Sequence, residues 1–467
     1  LLIRFFETIN HPYFYYIPDR EKDGYGASKK LFKKLIKKNP KLVIMVDCGS
    51  TSVEAIDFLN NKKIKSLVIA HHEISKPYPN ANMIINPKKD NGYIEYDYLC
   101  ATTLTYFFLE MLSKKIQIKI NLKKYLIYVL LATVCDVMPL RKLNRLIAIK
   151  VLKEFNINEN YAFNELYKLN NKKNKINIDD LGFLIGPILN AGGRLGKSNY
   201  ATELLSSENQ EFINVKSLDL IDLNNKRKKI EAVTLENIDL KKIENENDDI
   251  IFYYNPNINE GLLGIIAARL KEYFNKPAIV ITNSKDLLKS SARSIYNYNI
   301  GRAIRNSLQK DIILNGGGHN MAAGFTLKKE NLLIFKKFIF NDFSRNHISL
   351  GSNFEYDAQI SSSAFNRVFF NDIKKIGPFG NGNPLPIFLI KNLKIVRSKI
   401  VKEKYISSIL KPKIGFSINS ISFHSLNSKI GEHLLNYKKD FNVIGQINEN
   451  FSNNKKSLQL IIKDLIL

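Results

Sequence analysis

Cysteine is scarce in this chain, and its sequence contains no long apolar run. The three cysteines, Cys48, Cys100 and Cys135, form no CxxC pair. They cannot build a disulfide framework, so a reducing cytoplasm is the expected compartment. No apolar stretch reaches the roughly 20 residues that span a bilayer, and the densest one is interrupted by Asp136. We therefore expect no membrane segment, and no signal peptide is recognisable.

The first residues have the periodicity of an amphipathic helix. The chain starts with Leu1, in the stretch LLIRFFETI, rather than with methionine. We therefore expect that a segment precedes it. With 467 residues, of which 45% are hydrophobic, the chain is long enough for about three or four compact domains.

Acidic residues are few relative to basic ones. The chain has 70 Lys and Arg residues against 44 Asp and Glu residues, which leaves a net charge of +26. Such an excess indicates a polyanionic partner, either nucleic acid or an anionic membrane surface. A proteome that is generally rich in Lys, Asn and Ile would explain part of the same excess.

Two short runs near the amino terminus have the character of strands. They are KLVIMVD (41–47) and KSLVIAHH (65–72), and the segment between them has helical periodicity. This βαβ pattern predicts a parallel sheet and an α/β fold.

Polar side chains follow both predicted strands. Because open α/β sheets bind ligands at the carboxyl ends of their strands, Asp47, His71 and His72 should meet in one crevice. Helices are expected over about 98–112 and 122–134, and the second is followed by TVCDVMPL, which brings in a further carboxylate, Asp136.

Three further regions follow. Residues 218–247 are polar, highly charged and free of Pro and Gly, which predicts a long exposed connecting helix. Residues 248–346 have a second α/β pattern that includes the glycine-rich NGGGHNMAAGF. From 351 to 467, short β-like runs alternate with turns, which is typical of a small antiparallel barrel. This last part has 17 Lys and Arg residues against 8 Asp and Glu residues, and a basic barrel with Phe and Tyr suits single-stranded nucleic acid.

Carboxylates and imidazoles together indicate a metal site. Hard oxygen ligands suit Mn²⁺ or Mg²⁺, and imidazole favours manganese. A pair of such ions can hold and cleave a phosphodiester, but three ligands are too few for two ions. Taken singly, an Asp after a strand is often a helix cap and a lone His is more often a satisfied residue, so each position keeps an ordinary structural interpretation.

Other segments offer phosphate-binding chemistry. The backbone of Gly316, Gly317 and Gly318 can approach a ligand closely, and a helix starting near Asn320 would supply free amides. A tight turn explains the same run equally well.

Two loops contribute candidate polar side chains. Arg293 follows a predicted strand and could face the same phosphate or only solvent. Asn190 and Arg194 lie in GPILNAGGRLG, a predicted small-residue loop for which a structural and a phosphate-binding role are equally compatible with the residues.

The ordered series of motifs resembles one family. It comprises YYIPDREKDGYG, VDCGS, AHHEI, INPK, TVCDVMPL, GPILNAGGRLG, EGLLGIIAARL, SSARSI, GGGHNMAAGF and GPFGNGNPLPIF. The chain thereby resembles, over essentially its whole length, the RecJ-type single-stranded-DNA exonucleases of the DHH phosphoesterase superfamily. The resemblance implies removal of nucleotides from a 5′ end of single-stranded DNA with Mn²⁺ or Mg²⁺, two ions being expected in the complete protein.

The resemblance also implies domains and partners. It implies a DHH phosphoesterase domain with a helical extension (1–217), a connecting helix (218–247), a DHHA1 domain (248–346) and an OB-fold (351–467). Single-stranded DNA is the expected partner, and a single-strand-binding protein and a helicase are further candidates. We expect a monomer that acts in DNA repair and recombination.

Residue roles follow from the same motifs. Asp47 would bridge two metals, His71 would bind one metal and Asp136 the second, and His72 would contact the scissile phosphate. On the DHHA1 side, Arg293 and His319 would bind DNA phosphates, as the glycine loop would. Asn190 and Arg194 would line a narrow channel between the domains.

The chain departs from the family pattern at three places. The family's aspartate-rich first motif would lie before LLIRFF, and Ala70 replaces the aspartate that precedes the histidine pair. Ile188 stands where the family usually has arginine, and Asn259 to Gly261 stand where it has a His-Pro-like element. Because the aspartate is expected to orient the imidazoles, its loss predicts impairment of about 10- to 100-fold.

These departures leave two other functions open. One is a relative that binds single strands without cutting them, favoured by Ala70 and Ile188. The other is a DHH phosphodiesterase that acts on short oligonucleotides or cyclic dinucleotides. The segment GPFGNGNP and the basic barrel count against the second.

Overall fold

The structure is a computed structural model of the chain. It describes all residues except 20–22, 25, 75, 347–354, 404, 424, 427, 437–438, 453–454 and 467. Its contacts divide the chain into two compact units, Leu1–Met138 with Lys150–Leu350, and Pro139–Ile149 with Gly351–Leu467. The predicted boundary between 346 and 351 falls outside the described residues, as does Arg20 of the motif YYIPDREKDGYG, and the predicted domain limits stay predictions.

A three-stranded parallel sheet carries the histidine pair. Its strands are β1 (Leu42–Val46), β2 (Lys65–Ile69) and β3 (Met83–Ile85), in that order. Val46 pairs with Ile69, so β1 and β2 end side by side and their following residues emerge together. The predicted βαβ arrangement is confirmed.

Helices cover this sheet and extend beyond it. They are α1 (Leu2–Thr8), α2 (Lys29–Leu35), α3 (Val53–Asn61), α4 (Ala101–Lys115), α5 (Leu126–Cys135), α6 (Lys142–Glu154), α7 (Tyr161–Leu169), α8 (Gly186–Arg194), α9 (Tyr200–Ser206), α10 (Gln210–Glu236) and α11 (Leu240–Glu246). Phe32 of α2, Ile56 of α3 and Val68 of β2 pack in one buried apolar cluster. This cluster holds the strand ends in place because a close-packed core resists displacement.

Two predicted helix limits differ from the observed ones. The long helix begins at Gln210 rather than 218, because the Asn209 side chain caps its free amides by accepting a hydrogen bond from Phe212 N. It ends at Glu236, and α11 begins after Asp239, which caps Lys242 N in the same way. The helix is also packed along one face, where Ile213 and Leu220 are fully buried, and is not wholly exposed as expected.

A second α/β region follows α11. Its elements are β4 (Ile251–Tyr254), α12 (Leu263–Phe274), β5 (Ala278–Ser284), β6 (Leu287–Arg293), α13 (Ile300–Gln309), β7 (Asn315–His319), β8 (Ala322–Lys328) and α14 (Leu332–Asn346). The strands form one sheet in the order β4-β5-β6-β8-β7. Helix α13 packs its buried Ala303 and Ile304 with Phe325 of β8. The sheet thus presents the ends of β6 and β7, and with them Arg293 and His319.

The GGGH segment differs from its prediction. It is the strand β7, paired with β8 from Asn315 with Thr326 to His319 with Ala322, and no helix starts at Asn320. Glycine is required here for close approach, since a Cβ on Gly318 would lie 2.2 Å from the carbonyl oxygen of Ala322. The proposal that free helix amides bind a phosphate at this place is therefore wrong.

The carboxyl-terminal unit contains a closed set of strands. Its elements are β9 (Ala358–Ile360), α15 (Arg367–Lys375), β10 (Phe388–Val401), β11 (Tyr405–Pro412), β12 (Ile418–Phe423), α16 (Lys429–Asn436), β13 (Phe441–Ser452) and β14 (Lys455–Ile466). The order β11-β12-β14-β13-β10 closes through the pairing of β10 with β11, as in an OB-fold. Two pairs are parallel, β12 with β14 and β9 with β10, so the expected purely antiparallel pattern is wrong. Helix α16 lies between β12 and β13 in the chain. Strand β14 then pairs with β12 and runs in the same direction.

Short helical turns complete the secondary structure. The 3₁₀ turns are Ile36–Lys38, Asn91–Tyr96, Leu122–Tyr125, Ile157–Glu159, Glu260–Leu262, Lys329–Asn331 and Ser362–Ala364, and a π-helical turn covers Asp180–Ile185. Across the part of the chain that the structure describes, we find no helix with the length and apolar character needed to cross a bilayer.

Candidate metal and phosphate site

Asp47 lies at the carboxyl end of β1. Its N–H donates to Ile69 O at 2.8 Å, which extends the β1–β2 ladder by one bond. Its φ is +59°, in the left-handed region that Asp tolerates better than most residues. This backbone turn ends the strand and leaves the carboxylate half-exposed, beside the end of β2.

His71 and His72 follow β2 but have different surroundings. His71 is buried, and its Nε2 lies 2.9 Å from Asp136 Oδ2 and 3.3 Å from Asp47 Oδ1. His72 is half-buried, with Nδ1 3.7 Å from Asp47 Oδ1. Their ring centroids are 4.7 Å apart. Asp47 thus lies beside both imidazoles, as predicted, and Asp136 lies beside His71.

Asp136 is placed by the end of α5. Its N–H donates to Ala132 O at 2.9 Å, and the next two residues turn back with Val137 N donating to Val134 O and Met138 N to Thr133 O. Val137 has φ +54°, which is costly for a β-branched residue. Strained residues of this kind concentrate at functional sites, and here the strained residue directly follows the carboxylate.

The chemistry of the site fits a divalent cation. Within the described residues, His71 Nε2 is buried and has no hydrogen bond of normal geometry, although two carboxylate oxygens lie within contact distance of it. Ligand atoms of Asp47, His71 and His72 all lie within 4.8 Å of one another. A buried nitrogen facing two acceptor oxygens without a well-formed hydrogen bond is the arrangement expected where a cation binds all three atoms.

The local field also favours positive charge. Burial opposes a charge on His71, but the adjacent carboxylates of Asp136 and Asp47 outweigh the effect of burial and raise the pKa of the imidazole to about 9. Burial lowers the pKa of His72, although Asp47 acts in the opposite direction. The two neighbouring histidines are therefore shifted in opposite directions.

His319 lies across from this group. Its ring centroid is 5.6 Å from that of His72 and 6.3 Å from that of His71, with interplanar angles of 25° and 27°. The end of β7 thus adds a third imidazole to the site. Arg305 of α13 donates from Nη1 to Gly318 O at 3.0 Å, which fixes the backbone next to His319.

Arg194 and Arg293 meet at a second place, around the start of α12. Arg194 Nη1 donates to Gly261 O at 3.0 Å. Arg293 donates from Nη1 to Ala292 O at 2.9 Å and to Ser291 Oγ at 3.2 Å, and burial lowers the pKa of its guanidinium. Two positively charged side chains thus lie beside the amino terminus of a helix, where the charges and the helix dipole have the same sign.

Two glycines make this approach possible. A Cβ on Gly261 would lie 2.3 Å from Arg194 O, and a Cβ on Gly264 would lie 2.7 Å from Arg293 Nη2. Any larger residue would therefore displace one of the arginines. Gly261 is the last residue of NEG, the segment that replaces the His-Pro-like element of the family. The replacement therefore keeps the glycine that the contact with Arg194 requires.

The other predicted positions are placed as follows. Asn190 and Arg194 are on helix α8, one turn apart, so the predicted loop is wrong. The helix forms because Pro187 suits its first turn, and its small residues allow close packing: a Cβ on Gly186 would lie 2.7 Å from Cys135 Sγ. Asn190 is exposed. Gly316, Gly317 and Gly318 lie on β7, next to His319.

Sequence reasoning missed Asn86 and Lys88. Buried Asn86 donates from Nδ2 to His72 O at 2.9 Å and to Ser50 Oγ at 3.1 Å, and it accepts from Lys88 N at 2.9 Å. Lys88 Nζ binds Glu73 Oε1 at 2.9 Å. Both residues belong to the motif INPK, which was recognised as part of the series without a role. Asn86 holds the backbone that carries His72.

Family models match three parts of the chain. The DHH family N-terminal domain matches residues 1–133, the DHHA1 domain matches 247–344, and the RecJ OB domain matches 356–464. The fold also resembles a crystal structure of RecJ in complex with Mn²⁺ from Thermus thermophilus, with a TM-score of 0.80 and 21% identity over 99% of this chain and 66% of that one.

Curated relatives are similar over nearly the whole chain. The single-stranded-DNA-specific exonuclease RecJ of Haemophilus influenzae is 30% identical over 96% of this chain and 81% of its own length. The protein of the same name from Bacillus subtilis is 27% identical over 96% of this chain and 57% of its own length, and that from Escherichia coli is 27% identical over 97% and 82%. The chain therefore belongs to the RecJ family of single-stranded-DNA-specific exonucleases.

Proposed function

We propose that this chain hydrolyses single-stranded DNA from its 5′ end in a reaction that depends on Mn²⁺ or Mg²⁺. One observation carries the proposal: buried His71 Nε2, without a well-formed hydrogen bond, faces the carboxylates of Asp47 and Asp136. Relatives named as single-stranded-DNA-specific exonucleases, one of them known with Mn²⁺ bound, support the same function.

Asp47, His71 and Asp136 are the proposed metal ligands. When bound, the ion supplies a nucleophilic hydroxide and stabilises the charge that develops on the phosphate. The two carboxylates provide the hard oxygens and His71 the imidazole that favours manganese. A second ion, which two-metal hydrolysis requires, would need ligands in addition to these three residues, and Asp47 would be a ligand of both ions.

The remaining residues are proposed to hold the DNA. The rings of His72 and His319 lie nearly parallel with their centroids 5.6 Å apart, so a scissile phosphate at the edge of both rings would accept hydrogen bonds from both. Arg194 and Arg293, at the start of α12, would bind a further phosphate as charge-assisted donors. Asn190 lies one turn from Arg194 on α8 and would line the path of the strand, and the β7 glycines would let the DNA backbone approach.

Ala70 is the reason to expect reduced activity. Its side chain is fully buried in the apolar cluster with Met45 and Val68, so nothing polar supports the imidazoles from this position. Loss of such a contact typically costs about 10- to 100-fold in affinity or activity. We therefore propose an impaired enzyme rather than a different reaction.

Binding without cleavage is the second candidate function. Buried, apolar Ala70 beneath the histidines favours it, because a weakened metal site need not weaken DNA binding. In either case single-stranded DNA is the proposed partner. We further propose that the protein is a monomer and that a helicase and a single-strand-binding protein are its partners. A reducing cytoplasm is the proposed compartment, because it suits the three free cysteines.

The test is Mn²⁺-dependent release of nucleotides from 5′-labelled single-stranded DNA. We expect release by the unaltered protein, and loss of both release and Mn²⁺ binding in His71→Ala. His11→Ala is the matched control, because His11 is an exposed histidine whose ring lies beside Phe6. It should leave both quantities unchanged.

Two outcomes separate the candidates. If the unaltered protein and Ala70→Asp both bind single-stranded DNA but release nothing, the exonuclease proposal is wrong and the binding function remains. Equal loss of Mn²⁺ binding in His11→Ala and His71→Ala would show that the histidine pair is not the metal site.

A further inference from the structure

The loop between β6 and α13, residues 294–299, has no role in the function proposed above. Its sequence is SIYNYN, and its two tyrosines have opposite surroundings. Tyr298 is buried, and its hydroxyl donates to Asp342 Oδ2 at 3.1 Å. Tyr296 is 90% exposed, and within the described part of the chain we find no hydrogen bond or ring contact of its side chain. Burial therefore accounts for Tyr298 but not for Tyr296.

Hydrogen bonds hold both ends of the 294–299 loop on the turn between β7 and β8. Ser294 N donates to Met321 O at 2.9 Å, and Ile300 N, at the start of α13, donates to Asn320 O at 3.2 Å. The Asn299 side chain adds a bond from Nδ2 to Asn320 Oδ1 at 2.7 Å. The acceptor residues directly follow β7 in the chain, so the loop lies at the end of that strand.

The loop is also bonded internally. Ser294 Oγ donates to Tyr298 O at 2.7 Å, and Tyr298 N donates to Ile295 O at 3.2 Å across the turn. The Asn299 side chain caps the first turn of α13. The turn that presents Tyr296 is thus ordered by hydrogen bonds on both sides. Because the backbone is ordered in advance, little loop entropy would be lost when a ligand binds to this ring.

Candidate phosphate-binding groups lie beside this loop. Arg293 precedes it, and the exposed Arg302 follows it on the first turn of α13. Arg293 and His319 both pair with Ala322, from opposite sides of β8. Directly paired residues share one face of a sheet, and neighbouring strands are about 4.8 Å apart, so Arg293 and His319 start about 10 Å apart on that face. The loop leaves the sheet at the same edge.

We propose that Tyr296 is a stacking platform for a base of single-stranded DNA, next to the phosphates held at Arg293 and His319. The inference rests on the proposed function, because it requires that DNA reaches these two residues. Sites for single strands combine cations, which bind the backbone, with aromatic rings, on which the bases stack. An ordered, exposed tyrosine beside an imidazole and a guanidinium has this combination. Since every base has a face that can stack, the contact adds affinity without sequence preference.

The test measures binding of labelled oligonucleotides by fluorescence anisotropy in the absence of divalent cations, so that no strand is cut. Two strands of equal length are compared, one of thymidines and one of abasic deoxyribose phosphates. Tyr296→Ala should bind the thymidine strand about 10-fold more weakly, within the range for loss of one base–aromatic contact. It should bind the abasic strand as tightly as the unaltered protein does, because that strand has no base to stack. Binding of the abasic strand also shows that the variant is folded.

Two further variants serve as controls. Tyr296→Phe keeps the ring and removes only the hydroxyl, so it should bind both strands as the unaltered protein does. Tyr273→Ala removes another exposed tyrosine, near the carboxyl end of α12. Arg293 lies against Gly264, at the opposite end of that helix. Tyr273→Ala should therefore leave both affinities unchanged.

Each result decides the inference. Equal affinity of Tyr296→Ala and the unaltered protein for the thymidine strand would overturn it. An equal loss for both strands would also overturn it, since Tyr296 would then shape the loop rather than stack on a base. A loss in Tyr296→Phe as large as in Tyr296→Ala would assign the effect to the hydroxyl and contradict stacking.

The same measurements separate the inference from the proposed function. If the unaltered protein binds the thymidine strand but releases no nucleotides with Mn²⁺, the exonuclease proposal is wrong, and the comparison of the two strands still decides the role of Tyr296. If the unaltered protein binds neither strand, both the proposed function and the inference are wrong.

Discussion

Among single residues, the two adjacent histidines differ because they have different neighbours, although their ring centroids are only 4.7 Å apart. His71 points inward to the two carboxylates, which raise its pKa to about 9 despite its burial. His72 points to His319, and burial lowers its pKa. A metal ion would displace the proton that His71 otherwise holds, whereas burial favours the neutral form of His72, which can donate a hydrogen bond to a phosphate.

Ala70→Asp is predicted to have two opposite effects. In the metal-free protein the buried, unpaired carboxylate should lower the free energy of unfolding by roughly 3 kcal/mol, because a charge is placed in an apolar cluster. If that carboxylate supports the imidazoles, Mn²⁺ affinity should rise by about 10-fold or more. Urea unfolding and Mn²⁺ titration measure the two effects.

Ala70→Asn is the control for charge. It has nearly the shape of aspartate without the negative charge, so it should give a smaller gain in Mn²⁺ affinity. An equal gain from Asn and Asp would contradict an electrostatic role, and no gain from either would remove Ala70 as the cause of impairment.

At the scale of elements, a buried polar network joins α10 to α12. Arg227 Nη1 lies 2.7 Å from Glu231 Oε2, and Glu231 Oε1 lies 3.0 Å from Arg269 Nε. Arg227 Nε also donates to Asn224 Oδ1 at 3.1 Å. This network fixes the long helix against the helix whose amino terminus carries the contacts of Arg194 and Arg293.

Glu231→Ala is therefore predicted to destabilise the protein by roughly 3–5 kcal/mol, because it leaves the buried Arg227 without its carboxylate. Glu272→Ala, which removes the exposed partner of Arg269, should cost less than about 1 kcal/mol. Urea unfolding at neutral pH gives both values. Equal losses of unfolding free energy at the two positions would contradict the conclusion that the buried Arg227–Glu231 pair provides the stability of this network.

A carboxyl between the amino-terminal segment and α2 gives a prediction for acid pH. The Tyr16 hydroxyl and then Lys34 lower the pKa of Asp23 to about 2. Because the folded pKa is below the unfolded value of 3.8, the stability that Asp23 provides is present above about pH 4 and is lost as the pH falls toward 2. Asp23→Asn should remove this pH-dependent loss of stability, which the acid unfolding profile measures.

The control for this prediction is Asp57→Asn, at an exposed position on α3. It should leave the difference in stability between pH 5 and pH 2.5 close to that of the unaltered protein. If Asp23→Asn does the same, the hydrogen bonds from Tyr16 and Lys34 do not contribute to stability.

At the scale of the whole molecule, the net charge of +26 predicts salt-sensitive binding of single-stranded DNA. With about five phosphate contacts, affinity should fall roughly 100-fold between about 50 and 200 mM salt, because neutralised phosphates release their counterions. Fluorescence anisotropy of a labelled oligonucleotide measures this. Affinity that does not change with salt would show that the charge excess reflects composition alone.

Much of the architecture could be predicted because it depends on local patterns. The strand runs that end in Asp47 and His71 are short, apolar and separated by a helical segment, and a parallel βαβ unit aligns their ends whatever the rest of the chain does. The position of Asp136 followed from the end of an apolar helix. By contrast, the glycine run before His319 was compatible with a turn, a helix start or a strand, because glycine has no strong local preference.

Periodicity and motif order are properties of the chain, so the amino-acid sequence was enough to predict the family, the succession of α/β and β-rich regions, and the carboxylates and imidazoles of the candidate site. Which of these groups face each other depends on the folded structure. The contacts of buried His71 with Asp47 and Asp136, and the arrangement of Arg194 and Arg293 around Gly261 and Gly264, join residues far apart in sequence. Such contacts arise from packing, which no local pattern specifies.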